Sequence, residues 1–318
     1  MNFARPLTFL FGAGVHLRNR WYDSGMLKSR ELAGPVVSIG SISVGGAGKT
    51  PFTILVGELL KQHGIAFDIL SRGYRRTTKG AAIVDPNGSP RDFGDEPLLM
   101  AQKLGVPVIV GEDRYEAGLL AEQTHGIRLH LLDDGFQHRR LKRQFDIALV
   151  TRQDLSDCLL PAGRLREPVS ALGRADAVLV IGDIRPQRIP PGIKTAWQAH
   201  RALTLFDAPP KPIAFCGIAR HRNFFDQLRQ AGFEPVAIGT YRDHHAYNEA
   251  DVRHLLRLRD RYHGGGFVTT EKDAINLGPL LGRLQPIAIA KVEMTLDDAD
   301  RCLDLLLDTL KARGKPAS

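Results

Sequence analysis

Apolar runs alternate with amphipathic stretches along most of the chain, and this alternation predicts strands and helices in turn. Residues 35–42 (PVVSIGSI) are apolar without a polar period, as expected for a strand buried on both faces. Residues 49–63 carry apolar side chains at helical spacing. Further strands are predicted at 67–70, 81–84, 107–110, 127–132, 145–150 and 177–181, and helices at 96–104 and 114–122. The pattern predicts an α/β fold with a mostly parallel sheet.

Residues 185–212 interrupt this alternation. The segment is rich in proline around an extended stretch at 194–206, which predicts a linker that includes a small two-stranded connection. A second α/β run follows, with strands at 213–216, 235–239, 267–270 and 286–291 and helices at 224–230, 248–262 and 296–312. We therefore expect two domains, residues 1–184 and 213–318, joined by a linker at 185–212.

The N-terminal segment carries a separate amphipathic pattern. One helical face would present Phe3, Leu7, Leu10, Gly14, Leu17 and Trp21, flanked by Arg5, Arg18 and Arg20. Two interpretations are open. The stripe packs on the protein's own core, or the helix lies on a membrane surface with its arginines at the headgroups. The apolar core of this segment is too short for a signal peptide, and no cleavage site follows it.

Composition narrows the class of protein. The chain has 318 residues, 43% hydrophobic and 25% charged, as expected for a globular protein of more than one domain. Three cysteines lie far apart, which argues against a disulfide framework or a zinc site. No apolar run reaches the length of a membrane span. The net charge of +8 predicts an anionic partner: nucleic acid, a phosphorylated substrate or an anionic membrane surface.

A glycine-rich turn between the first strand and helix predicts a phosphate-binding loop, here residues 43–50. It consists of Ser43, Val44, Gly45, Gly46, Ala47, Gly48, Lys49 and Thr50. Glycines let backbone N–H groups approach phosphate oxygens, and the helix N-terminus adds positive charge. Lys49 can reach the β- and γ-phosphates, and the Thr50 hydroxyl can bind Mg²⁺. Ser43 stands where the usual motif has its first glycine.

Acidic residues follow two other elements. Asp133 and Asp134 end an apolar strand, where carboxylates face the ligand crevice of a parallel sheet and can hold Mg²⁺. Asp95 precedes a helix and is either its N-cap or a general base for a substrate hydroxyl.

Several histidines and arginines are further candidates for residues of a catalytic or phosphate-binding site. In Asp243-His244-His245, the aspartate could orient an imidazole. Arginines at 72, 75, 76, 114, 164 and 166 either form solvated faces or bind phosphate groups.

Together these motifs resemble the tetraacyldisaccharide 4′-kinase family. The motifs are SVGGAGKTP (43–51), SRGY (71–74), GDEP (94–97), DDGFQH (133–138), PAGRLREP (161–168), DHHAY (243–247) and TTEKDA (269–274). The resemblance covers nearly the whole chain. It implies two α/β/α sandwich domains, the first similar to phosphate-loop NTPases. It also implies transfer of the γ-phosphoryl of ATP, with Mg²⁺, to the 4′-hydroxyl of a tetraacyldisaccharide 1-phosphate, giving lipid IVA.

The resemblance also implies roles for individual residues. Lys49 and Thr50 match the loop lysine and a Mg²⁺ ligand, and Asp133 and Asp134 match acids near the metal. Asp95 matches the catalytic base and His244 its partner, with His245 still possible. Arg114 and Arg166 match motifs linked to nucleotide binding and activity. The family is peripheral to the cytoplasmic face of the inner membrane, so an anionic membrane surface is an expected partner; nucleic acid and an obligate protein partner are not.

Two other functions are compatible with a phosphate-binding loop. The first is a GTPase or metallochaperone, although Thr270-Glu271-Lys272-Asp273 lacks the Asn-Lys-x-Asp spacing of guanine readers. The second is a membrane-bound ParA-like ATPase without a small-molecule acceptor. Scattered basic residues and the lack of a helix-turn-helix pattern give that alternative little support.

Overall fold

The computed structural model describes residues 4–182, 184 and 191–316. The helices are α1 (Ala4–Asp23), α2 (Lys49–Gln62), α3 (Pro90–Phe93), α4 (Asp95–Leu104), α5 (Arg114–His125), α6 (His221–Gln230), α7 (Glu249–Arg261), α8 (Glu271–Leu277) and α9 (Ala299–Ala312). The strands are β1 (Val36–Ser41), β2 (Phe67–Ser71), β3 (Ala82–Ile83), β4 (Val108–Val110), β5 (Leu129–Asp133), β6 (Phe145–Thr151), β7 (Ala177–Ile181), β8 (Ala196–Thr204), β9 (Pro212–Cys216), β10 (Ala237–Thr240), β11 (Gly266–Thr270) and β12 (Ile287–Leu296).

These strands form one hydrogen-bonded sheet in the order β10-β9-β11-β12-β8-β7-β6-β1-β5-β2-β4-β3. Strands β1, β2 and β4 to β8 pair in parallel along one side of it, and β9 to β12 pair in parallel along the other. The antiparallel pairs are β3 with β4 and β8 with β12. The predicted α/β class with a mostly parallel sheet is confirmed.

Helices cover both faces of the sheet because alternate strand residues point to opposite sides. On β1, Val37 packs in one core with Phe52 of α2 and Leu98 of α4, whereas Val36 packs in another with Ala117 of α5. The second half repeats the arrangement. Its strands bury one set of side chains against α7 and the alternate set against α6.

Strands β8 and β12 form the junction between the two halves of the sheet. Residues 287–290 of β12 pair with β11, and residues 291–296 continue antiparallel to β8. The predicted strand at 286–291 was therefore too short, and α9 begins at Ala299 rather than residue 296. The second half of β12 alternates between buried and exposed positions, so it lacks the continuous apolar run of the buried strands. Within the predicted linker, residues 185–190 lie outside the described residues, and the two-domain division stays a prediction.

Helix α1 presents its apolar stripe to solvent. Leu7 and Leu10 are 57% and 65% exposed, and Leu17 and Trp21 are also exposed; Phe9, outside the stripe, is 77% exposed. Val15 on another face is buried. The core-packed interpretation of the stripe is therefore wrong for Leu7, Leu10, Leu17 and Trp21; Phe3 lies outside the described residues. Among residues 4–182, 184 and 191–316, no helix is long and apolar enough to cross a membrane.

Candidate functional site

The phosphate-binding loop connects the carboxyl end of β1 to the N-terminus of α2, as the sequence predicts. Gly45, Gly46 and Gly48 have φ angles of 61°, 69° and 82°. These left-handed values favour glycine, because a β-carbon strains the backbone there. The loop thus places its N–H groups and the positive end of α2 at one edge of the sheet.

Lys49 and Asp134 meet at that edge because β1 and β5 are neighbouring parallel strands. Lys49 Nζ lies 3.5 Å from Asp134 Oδ1. Arg166 Nη1 donates to both oxygens of Asp134, at 3.0 and 2.9 Å. Burial alone would raise the pKa of Asp134, but the charges of Lys49 and Arg166 lower it. Asp134 is therefore an ionised carboxylate held between two cations.

Asp133 is in a different environment although it is the adjacent residue. Ser71 Oγ donates to Asp133 Oδ2 at 3.1 Å, whereas Oδ1 is buried with no hydrogen-bond partner among the described residues. Burial and the neighbouring carboxylates of Glu96 and Asp134 raise the pKa of Asp133 to about 7. A buried carboxylate oxygen with no donor is suited to receive a cation.

Asp95 and His244 form a hydrogen-bonded pair, although they are 149 positions apart in sequence. His244 Nδ1 lies 2.9 and 2.8 Å from the two carboxylate oxygens of Asp95. Both side chains are largely buried, and His244 stacks edge-on against Tyr74. Burial would lower the pKa of His244, but Asp95 raises it. The contact joins α4 to the loop that follows β10.

Helix α8, in the second half of the chain, holds Asp95 and Glu96 in position. Asn276 Nδ2 donates to Asp95 Oδ2 at 3.0 Å, and Lys272 forms an ion pair with Glu96. Glu271 pairs with Lys103 at 2.7 Å. Burial alone would raise the pKa of Asp95, but its bond from His244 and the charge of Lys272 lower it to about 2. Asp95 is therefore ionised.

Three of the sequence alternatives are decided by this geometry. Gly94 occupies the N-cap of α4, so Asp95 is the first helical residue rather than the cap. His245 Nε2 bonds Asp251 at 2.9 Å and stacks on Tyr241, so it does not partner Asp95. Asp243 lies 3.8 Å from His244 Nε2, and the closer carboxylate at that imidazole is Asp95.

A cavity of about 840 Å³ brings most of the predicted site together. Its lining includes Lys49, Arg114, Asp133, Asp134, Arg166 and His244. Arg114 is buried, and its Nη1 donates to the Glu112 carbonyl at 2.8 Å. Burial and the neighbouring Arg72 lower the pKa of Arg114. Thr50 is buried at the start of α2 and lines a smaller adjoining cavity with Lys49.

Comparison with known proteins matches nearly the whole chain to one family. Residues 2–311 match the family described as Tetraacyldisaccharide-1-P 4′-kinase. The chain belongs to this kinase family. The Tetraacyldisaccharide 4′-kinase of Koribacter versatilis is 48% identical over 97% of this chain and 99% of its own length. That of Aquifex aeolicus is 37% identical over 86% of this chain and 88% of its own length.

A solved structure agrees with this assignment. LpxK from Aquifex aeolicus, determined in complex with ATP, matches with a TM-score of 0.76 and 33% identity. The match covers 96% of this chain and 97% of that one. The resemblance drawn from the sequence motifs is thus confirmed. The GTPase or metallochaperone and ParA-like alternatives lose their support.

Sequence reasoning missed several residues that support the kinase site. Glu167 is fully buried and accepts bonds from Arg174, Gln137 and Asn19. Gln137 in turn accepts from Arg166 Nη1 at 3.1 Å. Glu167 lies inside the PAGRLREP motif, next to Arg166, and that position was the available signal. Asn276 has no comparable signal, because its partner Asp95 lies 181 residues away.

Proposed function

We propose that the protein transfers the γ-phosphoryl group of ATP to the 4′-hydroxyl of a tetraacylated glucosamine disaccharide 1-phosphate, giving lipid IVA in lipid A biosynthesis. The observation that carries the proposal is the Asp95–His244 pair, because His244 lines the same cavity as Lys49 of the phosphate-binding loop. A loop for ATP and a carboxylate–imidazole pair for a hydroxyl are the two parts that this reaction needs. The names of the relatives agree with it.

Positioning and charge neutralisation provide most of the catalysis in phosphoryl transfer. In our proposal the N–H groups of Gly45 to Thr50 and the Lys49 ammonium hold the β- and γ-phosphates. Arg114 and Arg166, which line the same cavity, contribute further positive charge. Asp95 accepts the proton of the 4′-hydroxyl, and His244 holds that carboxylate in position.

Mg²⁺ fits the acidic edge of the cavity. The carboxylate oxygen of Asp133 that lacks a partner and the Thr50 hydroxyl would hold the ion, which would neutralise phosphate charge. Asp134 already forms ion pairs with Lys49 and Arg166, so it would lie near the ion but would not be its main ligand. Groups of three or more potential metal ligands are absent from the described residues. Mg²⁺ sites commonly use one or two carboxylates with substrate phosphates.

Assembly of the Asp95–His244 pair links the two predicted domains. We propose that closure of these domains completes the pair and excludes water, which limits hydrolysis of ATP. The bonds from α8 to α4 support this, since they hold the same two regions together.

The exposed stripe of α1 supports a peripheral location at the cytoplasmic face of the inner membrane. Leu7 and Leu10 of the stripe, and exposed Phe9 outside it, are suited to the acyl boundary of a bilayer. Arg18 and Tyr22, near the end of α1, line the same cavity as Lys49. A glycolipid held at the membrane surface could therefore place its sugar at the phosphate-binding loop.

Substitution of the exposed apolar residues of α1 tests the membrane contact. We expect the double variant Phe9→Glu/Leu10→Glu to bind vesicles containing anionic lipid at least about tenfold more weakly, because two apolar side chains leave the interface. Flotation of the full chain with such vesicles measures this. Point variants are preferable to removal of the helix, because Asn19 bonds Glu167. Ile127→Glu, at another exposed apolar position, is the control; equal losses in both variants would contradict a specific role for α1.

Incubation with γ-labelled ATP, Mg²⁺ and the tetraacyldisaccharide 1-phosphate tests the proposed reaction. Label is expected in the lipid fraction, and an acceptor lacking the 4′-hydroxyl is the control. A strong preference for GTP, or hydrolysis with no labelled lipid, would overturn the proposal.

A further inference from the structure

The loop that joins β9 to α6, residues 217–220, lies directly on the phosphate-binding loop. A β-carbon built on Gly45 would lie 2.9 Å from Ala219 Cβ. One built on Gly46 would lie 2.6 Å from Arg220 Cδ and 2.8 Å from Arg220 Nε. Real β-carbons do not approach other atoms so closely. Glycine is therefore needed at both positions for two reasons: the backbone is left-handed, and a side chain would collide with the loop 217–220. The second half of the chain thus places an arginine against the phosphate-binding loop.

The guanidinium of Arg220 is nearly enclosed yet only partly bonded. Its side chain is 9% exposed, and Nη2 lies 3.3 Å from Asp154 Oδ1. Its buried Nε has no hydrogen-bond partner within the part of the chain that the structure describes. A buried donor without an acceptor is unfavourable, and here it lies beside Gly46. Arg220 also lines a cavity of about 190 Å³ together with Gly46, Lys49 and Thr50.

Asp154 is a fixed anchor for that guanidinium. It lies just beyond the carboxyl end of β6 and is fully buried. Its Oδ2 accepts from the backbone N–H and the hydroxyl of Thr151, at 2.8 and 2.7 Å. Among the described residues, the longer bond from Arg220 is the only one to its other oxygen, Oδ1. The anchor can therefore keep its position while the arginine exchanges partners.

We propose that Arg220 is an arginine finger supplied within the chain, which binds the terminal phosphates of the nucleotide across the site. This proposal rests on the proposed kinase reaction. In that reaction the bond from the γ-phosphorus to the β–γ bridging oxygen breaks, and a bond to the 4′-oxygen forms. The hydroxyl proton passes to Asp95, and ADP leaves. Negative charge grows on the bridging oxygen, and a planar guanidinium with several donors stabilises it.

A structural role for the same residue is the alternative. The Arg220–Asp154 ion pair could simply join the two halves of the chain. The two roles predict different effects of substitution. If Arg220 binds phosphate, loss of its guanidinium should matter more than loss of the Asp154 carboxylate. If the ion pair is structural, loss of either partner should have the same effect. Variants at each partner therefore distinguish them.

The experiment compares Arg220→Met, Arg220→Lys and Asp154→Asn, with Arg222→Met as the control at an exposed arginine of α6, two residues further along. We expect Arg220→Met to lower kcat about 10³-fold with a smaller change in KM for ATP, and Arg220→Lys to restore it only in part. Arg222→Met should retain most of kcat, and Asp154→Asn should lower it much less than Arg220→Met does, because the guanidinium itself remains. Binding of ADP with aluminium fluoride should weaken in Arg220→Met, while binding of ADP alone changes little.

Equal loss of kcat in Asp154→Asn and Arg220→Met would assign the pair to structure and overturn the proposal. So would unchanged binding of ADP with aluminium fluoride in Arg220→Met. The binding measurement needs no lipid. If the wild-type protein fails to label the lipid, the proposed reaction fails, while the binding measurement still tests the finger.

Discussion

Replacement of Asp95 by asparagine is expected to lower kcat for lipid phosphorylation by about 10²- to 10⁴-fold. Asparagine has nearly the same shape, and its carbonyl oxygen can still accept the Glu96 N–H bond that Asp95 Oδ1 accepts at 2.8 Å. It loses the negative charge, the ability to take a proton from a sugar hydroxyl and the second oxygen, which accepts from Asn276 at 3.0 Å. Steady-state kinetics at saturating ATP and acceptor measure the effect. The KM for ATP should change much less, because Asp95 does not belong to the phosphate-binding loop.

The same variant has a second readout at His244. Asp95 raises the pKa of His244, against the effects of burial and of the Lys272 charge. Without the carboxylate, burial and the Lys272 charge still lower the pKa of His244 and the Asp243 charge still raises it, so this pKa should fall below its wild-type value. The imidazole would then be neutral at a pH where the wild-type ring still carries its proton. An NMR titration of the His244 ring checks this shift in the folded protein.

The control for this prediction is Asp85→Asn, at an exposed carboxylate in the same half of the chain. It should keep near-normal turnover. Suppose that Asp95→Asn also turned over within about fivefold of the wild-type rate while the pKa of His244 fell. The contact between Asp95 and His244 would then be real, but Asp95 would not be the catalytic base.

Buried strands could be predicted from sequence because continuous apolar runs leave few alternatives. Strand β7 has the bounds that its apolar run predicts, at 177–181, and β1 and β6 differ by a residue or two. Strand β12 was predicted too short, since its second half is partly exposed and carries Lys291 and Glu293 between apolar residues. Helix α8 was missed because seven residues are too few to establish a helical period.

The residues of the candidate site also fall into those that local sequence pattern predicts and those that it does not. Lys49, Asp133 and Asp134 follow predicted strands, and parallel pairing brings their ends together, so local pattern was enough. Asp95 and His244 needed the family resemblance, because nothing local joins residues 149 positions apart. Arg220 and Asn276 acquire their partners only when the second half of the chain lies against the first. No spacing within the sequence carries that information.

Loss of the Glu167 carboxylate is expected to have the largest effect on stability. Its oxygens accept from Arg174 Nη1 at 2.6 Å and Nη2 at 2.8 Å. They also accept from Gln137 at 3.0 Å and from Asn19 of α1 at 2.7 Å. Glu167→Ala removes the anionic partner of Arg174 and the acceptor of the Asn19 amide; Arg174 Nη2 keeps its bond to the Phe136 carbonyl and Gln137 Nε2 its bond to the Ser41 carbonyl. We expect the free energy of unfolding to fall by about 3–5 kcal/mol, as for other buried ion pairs that lose one partner.

Urea unfolding measures this loss, and two further variants show whether the buried charge causes it. Glu116→Ala breaks an exposed pair with Arg30 and should reduce the free energy of unfolding by less than about 1 kcal/mol. Glu167→Leu/Arg174→Leu should be more stable than Glu167→Leu alone, because the Arg174 cation that has lost its carboxylate is also removed. If the double variant were the less stable of the two, packing rather than charge would explain the role of Glu167. Because Glu167 holds Gln137, and Gln137 holds Arg166, a fall in kinase activity should accompany the loss of stability even where the protein remains folded.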